Sequence, residues 1–407
     1  MTKQEIINAA FKTWGRNLYK KTSLSMLAGE LGVSKPALYR HFENKQALTA
    51  AMTEHFLDDF ANSVRDDFQK ANSAKDADEG IFIIIESIAG FFAGNVYALI
   101  FSIVNIYDRN LDGHSLLESL KSRKVDMGTL QHIINKKYFA ETATVQMVYA
   151  SLTFFMSNFH KMENSMKKNP SEKKINEIIL IINNFISCGL GFSAENTALN
   201  FKKLEEKVEK TELNSKPEPF FEAVAQAVAE AGPWDVSMEM VAKRLGLSKS
   251  SLYGHFKNRK DMLRRLFIGE FKRIIEFARQ GIGMSEDPAQ QLYLGIFSIA
   301  VYLSSRPEIL VAMSWIRTRR LDLGKPDKEL EIFRLFEDVD IRQLQNSGEE
   351  NKRRISHWIL FLLINILTHP SMSDDSQKEK FSPCNSQKKH IRMLYKFITL
   401  GLGGFKR

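Results

Sequence analysis

Ser34, Lys35, Tyr39, Arg40 and His41 stand within eight residues of one another, and Ser248, Lys249, Tyr253 and His255 recur at the same spacing 214 positions later. Hydroxyl, ammonium, guanidinium and imidazole groups set this densely on one short segment can bind phosphate oxygens and the edges of bases. They do not form the nucleophile, base and orienting group that covalent catalysis needs. Their chemistry is that of holding and reading a polyanion.

The elements that must position them are legible around each copy. Ala28, Leu31, Gly32, Ser34, Lys35, Leu38, Tyr39, His41, Phe42 and Asn44 return without a gap as Ala242, Leu245, Gly246, Ser248, Lys249, Leu252, Tyr253, His255, Phe256 and Asn258, and about half of the window is identical. A small residue at Ala28, a glycine four positions on and Val33 after it are what two short helices need to cross closely, which predicts a helix-turn-helix. Ser34 is placed to cap the second helix, with Pro36 in its first turn, and Ser23 and Ser237 are placed to cap the helix before each turn. The recognition helix is predicted over residues 35–42, presenting Lys35, Ala37, Tyr39, Arg40 and His41. Its second copy presents Lys249, Ser251, Tyr253, Gly254 and His255. Ser23, Ser34, Tyr39 and Lys45 are expected on phosphates, with Ser25 near the DNA. In the second copy Ser237, Ser248 and Arg259 take those places, and Glu239 stands where the first has Ser25.

At these residues the chain resembles the TetR family of bacterial transcriptional regulators. Ala28, Gly32 to Ser34, Leu38 to Phe42, Lys45 and Leu48 match its pattern; the second copy departs from it with Arg259 for the lysine and Met262 for the leucine. The resemblance implies, in each repeat, a three-helix DNA-binding head followed by a helical regulatory domain. It implies a double-stranded DNA operator and a small apolar effector, while the residues themselves offer no catalytic constellation and no metal-ligand spacing, so no catalytic residue, cofactor or metal is expected. Family members pair as homodimers, so two copies in one chain read as a dimer fused head to tail, an intramolecular pseudo-dimer.

Length and charge agree with that reading. A chain of 407 residues exceeds one core, and a net charge of +9 favours a polyanionic partner. Residues 1–50 carry eight basic side chains against three acidic, and residues 215–265 nine against six. Cys188 and Cys384 have neither disulfide nor zinc spacing. An amphipathic helix starts at once from Lys3, so no signal peptide is read and a cytoplasmic protein is expected.

The expected order is a head at 1–50, a regulatory domain at 51–192, a charged connector at 193–217, a second head at 218–265 and a second regulatory domain at 266–407. Apolar helical periodicity runs over 81–92, 96–107, 144–167 and 171–189, then 289–304, 307–318, 352–367 and 386–400, which makes the fold all-α. The apolar stretch 81–106 has the length of a membrane span. Its counterpart is broken by Arg306-Pro307-Glu308, so two buried helices joined at Gly94-Asn95 and no membrane contact are expected. Gly189 and Gly191 follow a helix and read as its C-terminal cap. His160, near Glu163, reads as a polar side chain on the surface. Phe91, Phe92, Tyr97, Phe101, Phe154, Phe155 and Phe159 are the expected lining of an apolar effector pocket.

Together these expectations describe a sequence-specific, ligand-responsive repressor on a two-half-site operator, able to associate further. A constitutive or architectural DNA-binding protein and a protein-interaction module with one degenerate head are the alternatives.

Overall fold

A computed structural model describes residues 1–16, 19, 23–106, 113–138, 141–165, 167–211, 219–319, 335–336, 339, 349–368 and 383–406. The described residues form helices and no β-strand, so the fold is all-α. They divide into two compact units, Met1–Ile186 with Phe405–Arg407, and Ser187–Gly404.

In the first unit α1 (Lys3–Arg16), α2 (Leu24–Leu31) and α3 (Lys35–Tyr39) form a head. From it runs α4 (Lys45–Asn72), followed by α5 (Ala77–Gly94), α6 (Val96–Phe101), α7 (Gly113–Ser122), α8 (Gly128–Lys137), α9 (Thr142–Met162) and α10 (Glu172–Cys188). Helix α4 is one 28-residue rod because Leu48, Met52, Phe56, Phe60, Val64 and Phe68 recur every fourth position and are all buried. It is started by Asn44, whose side chain accepts from the Ala47 amide at 2.8 Å. The break expected at Gly94-Asn95 is there: α5 and the segment after it meet at 102°. Asn95 caps the new helix by accepting from the Ala98 amide at 3.1 Å.

In the second unit a 3-10 turn at Glu195–Thr197 and α11 (Phe201–Glu209) precede the head formed by α12 (Pro219–Asp235), α13 (Met238–Leu245) and α14 (Lys249–His255). Then come α15 (Arg259–Ile282), α16 (Pro288–Ser305), α17 (Pro307–Arg319), α18 (Glu349–Thr368) and α19 (Asn385–Leu400). The α16–α17 bend is 109°, at the Arg306-Pro307 step. No single described helix is long and apolar enough to cross a membrane.

Within the charged connector expected at 193–217, α11 lies in the second unit, with Leu204 and Val208 buried and the Glu205 carboxylate only 3 % exposed. The Tyr293 hydroxyl donates to Glu205 at 2.5 Å and Arg392 holds both its oxygens at 2.7 and 2.5 Å, which lets a charged helix bury this face. Residues 212–217 of that connector lie outside the described residues. His160 is buried, not superficial. Its ring Nε2 sits 2.7 Å from the Phe92 carbonyl oxygen at the end of α5, which also accepts from the Asn95 amide at 3.1 Å. The glycines end α10 as expected, with Gly189 at φ 57° and Gly191 at φ 70°. At Gly189 a Cβ would lie 2.5 Å from the Ile398 carbonyl oxygen, so this position needs glycine twice over.

Candidate nucleic-acid interface

Each head is built the same way. Ser23 accepts from the Met26 amide at 3.1 Å, and Ser237 from the Met240 amide at 3.2 Å, starting α2 and α13. Both turns then reverse through a left-handed glycine, Gly32 and Gly246, each at φ 66°. The next amide closes the turn on the crossing alanine: Val33 donates to the Ala28 carbonyl at 3.0 Å, Leu247 to that of Ala242 at 2.9 Å. Ala28 and Ala242 are each 3 % exposed, small side chains buried where the turn closes.

The recognition helices are anchored by one turn of apolar side chains. Leu38 and Phe42 are buried, as are Leu252 and Phe256, which turns the intervening residues outward. Ser23, Ser25, Ser34, Lys35, Tyr39 and Arg40 are exposed, and Ala37, His41 and Lys45 half-buried. In the second head Ser248, Lys249, Ser251, Tyr253, His255 and Arg259 are exposed and Ser237 half-buried. Tyr39 and Tyr253 stand out at 51 % and 48 % exposure, large rings offered to a partner.

The heads differ in detail. Ser248 caps α14 by accepting from the Ser251 amide at 3.0 Å, and its hydroxyl also meets those of Ser250 and Ser251, each at 2.8 Å. Ser34 occupies the same position but its side chain makes no cap bond, a correction to the expected N-cap. Pro36 has no amide hydrogen, and the Ala37 amide is already given to the Ser34 carbonyl at 3.0 Å. Gly254 replaces Arg40, and a Cβ there would meet nothing within 4 Å. The exposed Glu239 carboxylate stands 3.9 Å from the Lys249 ammonium at the start of the second recognition helix.

Residues outside the repeated pattern's obvious chemistry complete each head. Arg16 joins α1 to α2 through Glu30 at 2.9 Å, and Glu230 joins α12 to α13 through Arg244. The Tyr97 hydroxyl, and Glu30 after it, hold the Arg16 guanidinium above its ordinary value. The Lys3 ammonium lies 5.9 Å from the centre of the Phe42 ring. The capping asparagines Asn44 and Asn258 were visible in the sequence only as members of the repeat.

The expected pocket residues fall into neighbouring groups. Phe91 meets Phe60 at 5.3 Å and Phe92 at 5.2 Å, Phe101 meets Phe56 at 5.7 Å and Phe11 at 4.9 Å, and Tyr97 packs beside Val96 and Ile100. Phe154 and Phe155 meet edge to face at 5.5 Å, with Phe185 stacked on Phe155 at 5.0 Å, and Phe159 lies beside His160. No group of three residues suited to a metal ion occurs among the described residues.

Two helix-turn-helix heads in one all-helical chain define the class: a tandem DNA-binding protein. Residues 6–52 and 221–266 each match the family described as bacterial regulatory proteins, tetR family. These two matches make the chain a DNA-binding transcriptional regulator with two tandem heads of the TetR type. It is similar to the TetR family transcriptional regulator PfmR from Thermus thermophilus, with 17 % identity over 46 % of this chain and 96 % of that one, at a TM-score of 0.33.

Proposed function

We propose that this regulator is a cytoplasmic, ligand-responsive repressor, without enzymatic activity, that binds an asymmetric operator of two half-sites as a single-chain pseudo-dimer. The observation behind this reading is the unequal pair of heads: one framework carries Arg40 and Ser25 in one copy, Gly254 and Glu239 in the other. A symmetric homodimer cannot make that distinction, whereas a fused chain can assign each head its own half-site. The linked weaker head still contributes, because tethering raises its local concentration into the millimolar range. Each head passes into its core through one continuous helix, α4 or α15, so an effector that prefers one tilt of that helix shifts the population of DNA-competent heads. Selecting bound sequences from a random DNA pool tests the operator, since it reports half-site number, spacing and asymmetry together. A palindromic consensus would overturn the asymmetric reading.

A further inference from the structure

Trp14 in α1 is 1 % exposed, and its indole Nε1–H meets no hydrogen-bond partner among the described residues. The Tyr19 hydroxyl is also buried there without one, and burial alone pushes it far above the usual phenol range. The two rings meet edge to face at 6.3 Å, and Tyr19 meets Phe101 at 5.9 Å. Tyr19 and Tyr97 lie against Val96, Ile100 and Val104, so both donors sit where the first head packs on α6 and on the π-helical turn Ser102–Ile106. Buried donors left unpaired cost free energy and call for an explanation.

The second repeat supplies the control. The positions of Phe11, Trp14, Tyr97 and Phe101 are held there by Ala225, Val228, Ile309 and Met313, all 2 % exposed or less. The fold thus closes these positions with apolar side chains that carry no donor, and packing alone does not require the indole donor.

We propose that the α1–α6 junction of the first repeat binds a neutral, planar small molecule with a carbonyl-type oxygen that accepts from Trp14 Nε1–H and the Tyr19 hydroxyl. The aromatic surroundings favour a flat apolar body. Neutrality follows because the Arg16 guanidinium is engaged by Tyr97 and Glu30, leaving it no carboxylate to balance. The site deepens the ligand-responsive reading and rests on that reading only for its effect on DNA.

Coumarin, a flat two-ring lactone, is the probe, with naphthalene as a flat two-ring molecule lacking an acceptor. Binding to the full chain is followed by thermal shift and tryptophan fluorescence, and operator affinity is measured separately without probe. Coumarin is expected to bind at least about tenfold more tightly than naphthalene, and Tyr19→Phe to remove about tenfold of that preference, the worth of one hydrogen bond. Trp14→Phe is expected to do the same at some cost in stability, because it also shrinks a buried ring, whereas Tyr19→Phe deletes only the unpaired hydroxyl and should not lower the melting temperature. Equal binding of the two probes, no binding of coumarin, or undiminished preference in Tyr19→Phe would overturn the site, as would donors satisfied by buried water with no probe bound. Operator affinity that persists in such a case leaves the regulator reading standing.

Discussion

Arg16 binds Glu30 across the first two helices of head one at 2.9 Å, and 214 positions later Glu230 binds Arg244 with the charges exchanged. The geometry is kept while the polarity is reversed. A head assembled from the first helix of one repeat and the second helix of the other would set Arg16 against Arg244, or Glu230 against Glu30. In a chain with two related heads, such exchange is the characteristic misassembly, and like charges disfavour it. Exposed pairs of this kind are worth about 0.2–1 kcal/mol. Arg16→Glu should therefore destabilise head one by that order, and adding Glu30→Arg should recover it, with both effects fading in high salt. Urea unfolding of the three proteins at two salt concentrations measures this; a double variant no better than the single one would refute the pairing.

Ser34 and Ser248 occupy one position with different duties. Ser248→Ala removes a helix cap and should cost about 1 kcal/mol of stability. Ser34 makes no such bond, so Ser34→Ala should leave unfolding nearly unchanged and weaken DNA binding if its hydroxyl meets a phosphate. Denaturation and gel-shift titration on the same variants separate the two roles. Equal stability losses at both positions would contradict the difference.

Glu270, in the middle of α15, is fully buried where α4 has Phe56. Tyr302 donates to it at 2.6 Å, Arg273 at 3.0 Å, and Arg306, at the α16–α17 bend, lies at 3.6 Å. Glu270→Ala strips Arg273 of this buried carboxylate and leaves Arg306 with Glu308 alone, and should cost about 3–5 kcal/mol. Because the ion cluster ties α15 to the bend, the loss should show as unfolding of the second unit. Differential scanning calorimetry would detect it, and an unshifted transition would count against a structural role for the cluster.

Local rules made much of this legible and burial set the limit. Gly32 and Gly246 announce a left-handed turn, Ser23 and Ser237 a cap, and the mismatch of Gly94-Asn95 with Arg306-Pro307 the bend; all are set by a few neighbouring residues. Ser34 departs from the capping rule because the Ala37 amide, three residues on as in the caps at Ser23, Ser237 and Ser248, goes to the Ser34 backbone carbonyl instead. Glu205, Glu270 and His160 were harder, since a charged residue in a sequence reads as solvated until its partners are known. Arg392 lies 187 positions from Glu205, and Phe92 lies 68 from His160. No local periodicity carries that information.

The second head can be strengthened by restoring what the first one has. Glu239 sets a carboxylate 3.9 Å from Lys249, at the start of the recognition helix, so it both repels phosphate and draws off part of the lysine's charge. Glu239→Ser, copying Ser25, should raise the affinity of this head and steepen its salt dependence by about one unit of slope as one more phosphate contact forms. Gly254→Arg, copying Arg40, enters open space and replaces a helix-interior glycine, so it should also stabilise α14 slightly, by a few tenths to about 1 kcal/mol. If that arginine reaches a guanine edge, it should add about 1–3 kcal/mol of discrimination at one base pair. Fluorescence anisotropy on the second half-site across a salt series tests both. An unchanged slope in Glu239→Ser would place its carboxylate away from the DNA, and unaltered base preference in Gly254→Arg would confine this position to the phosphate backbone.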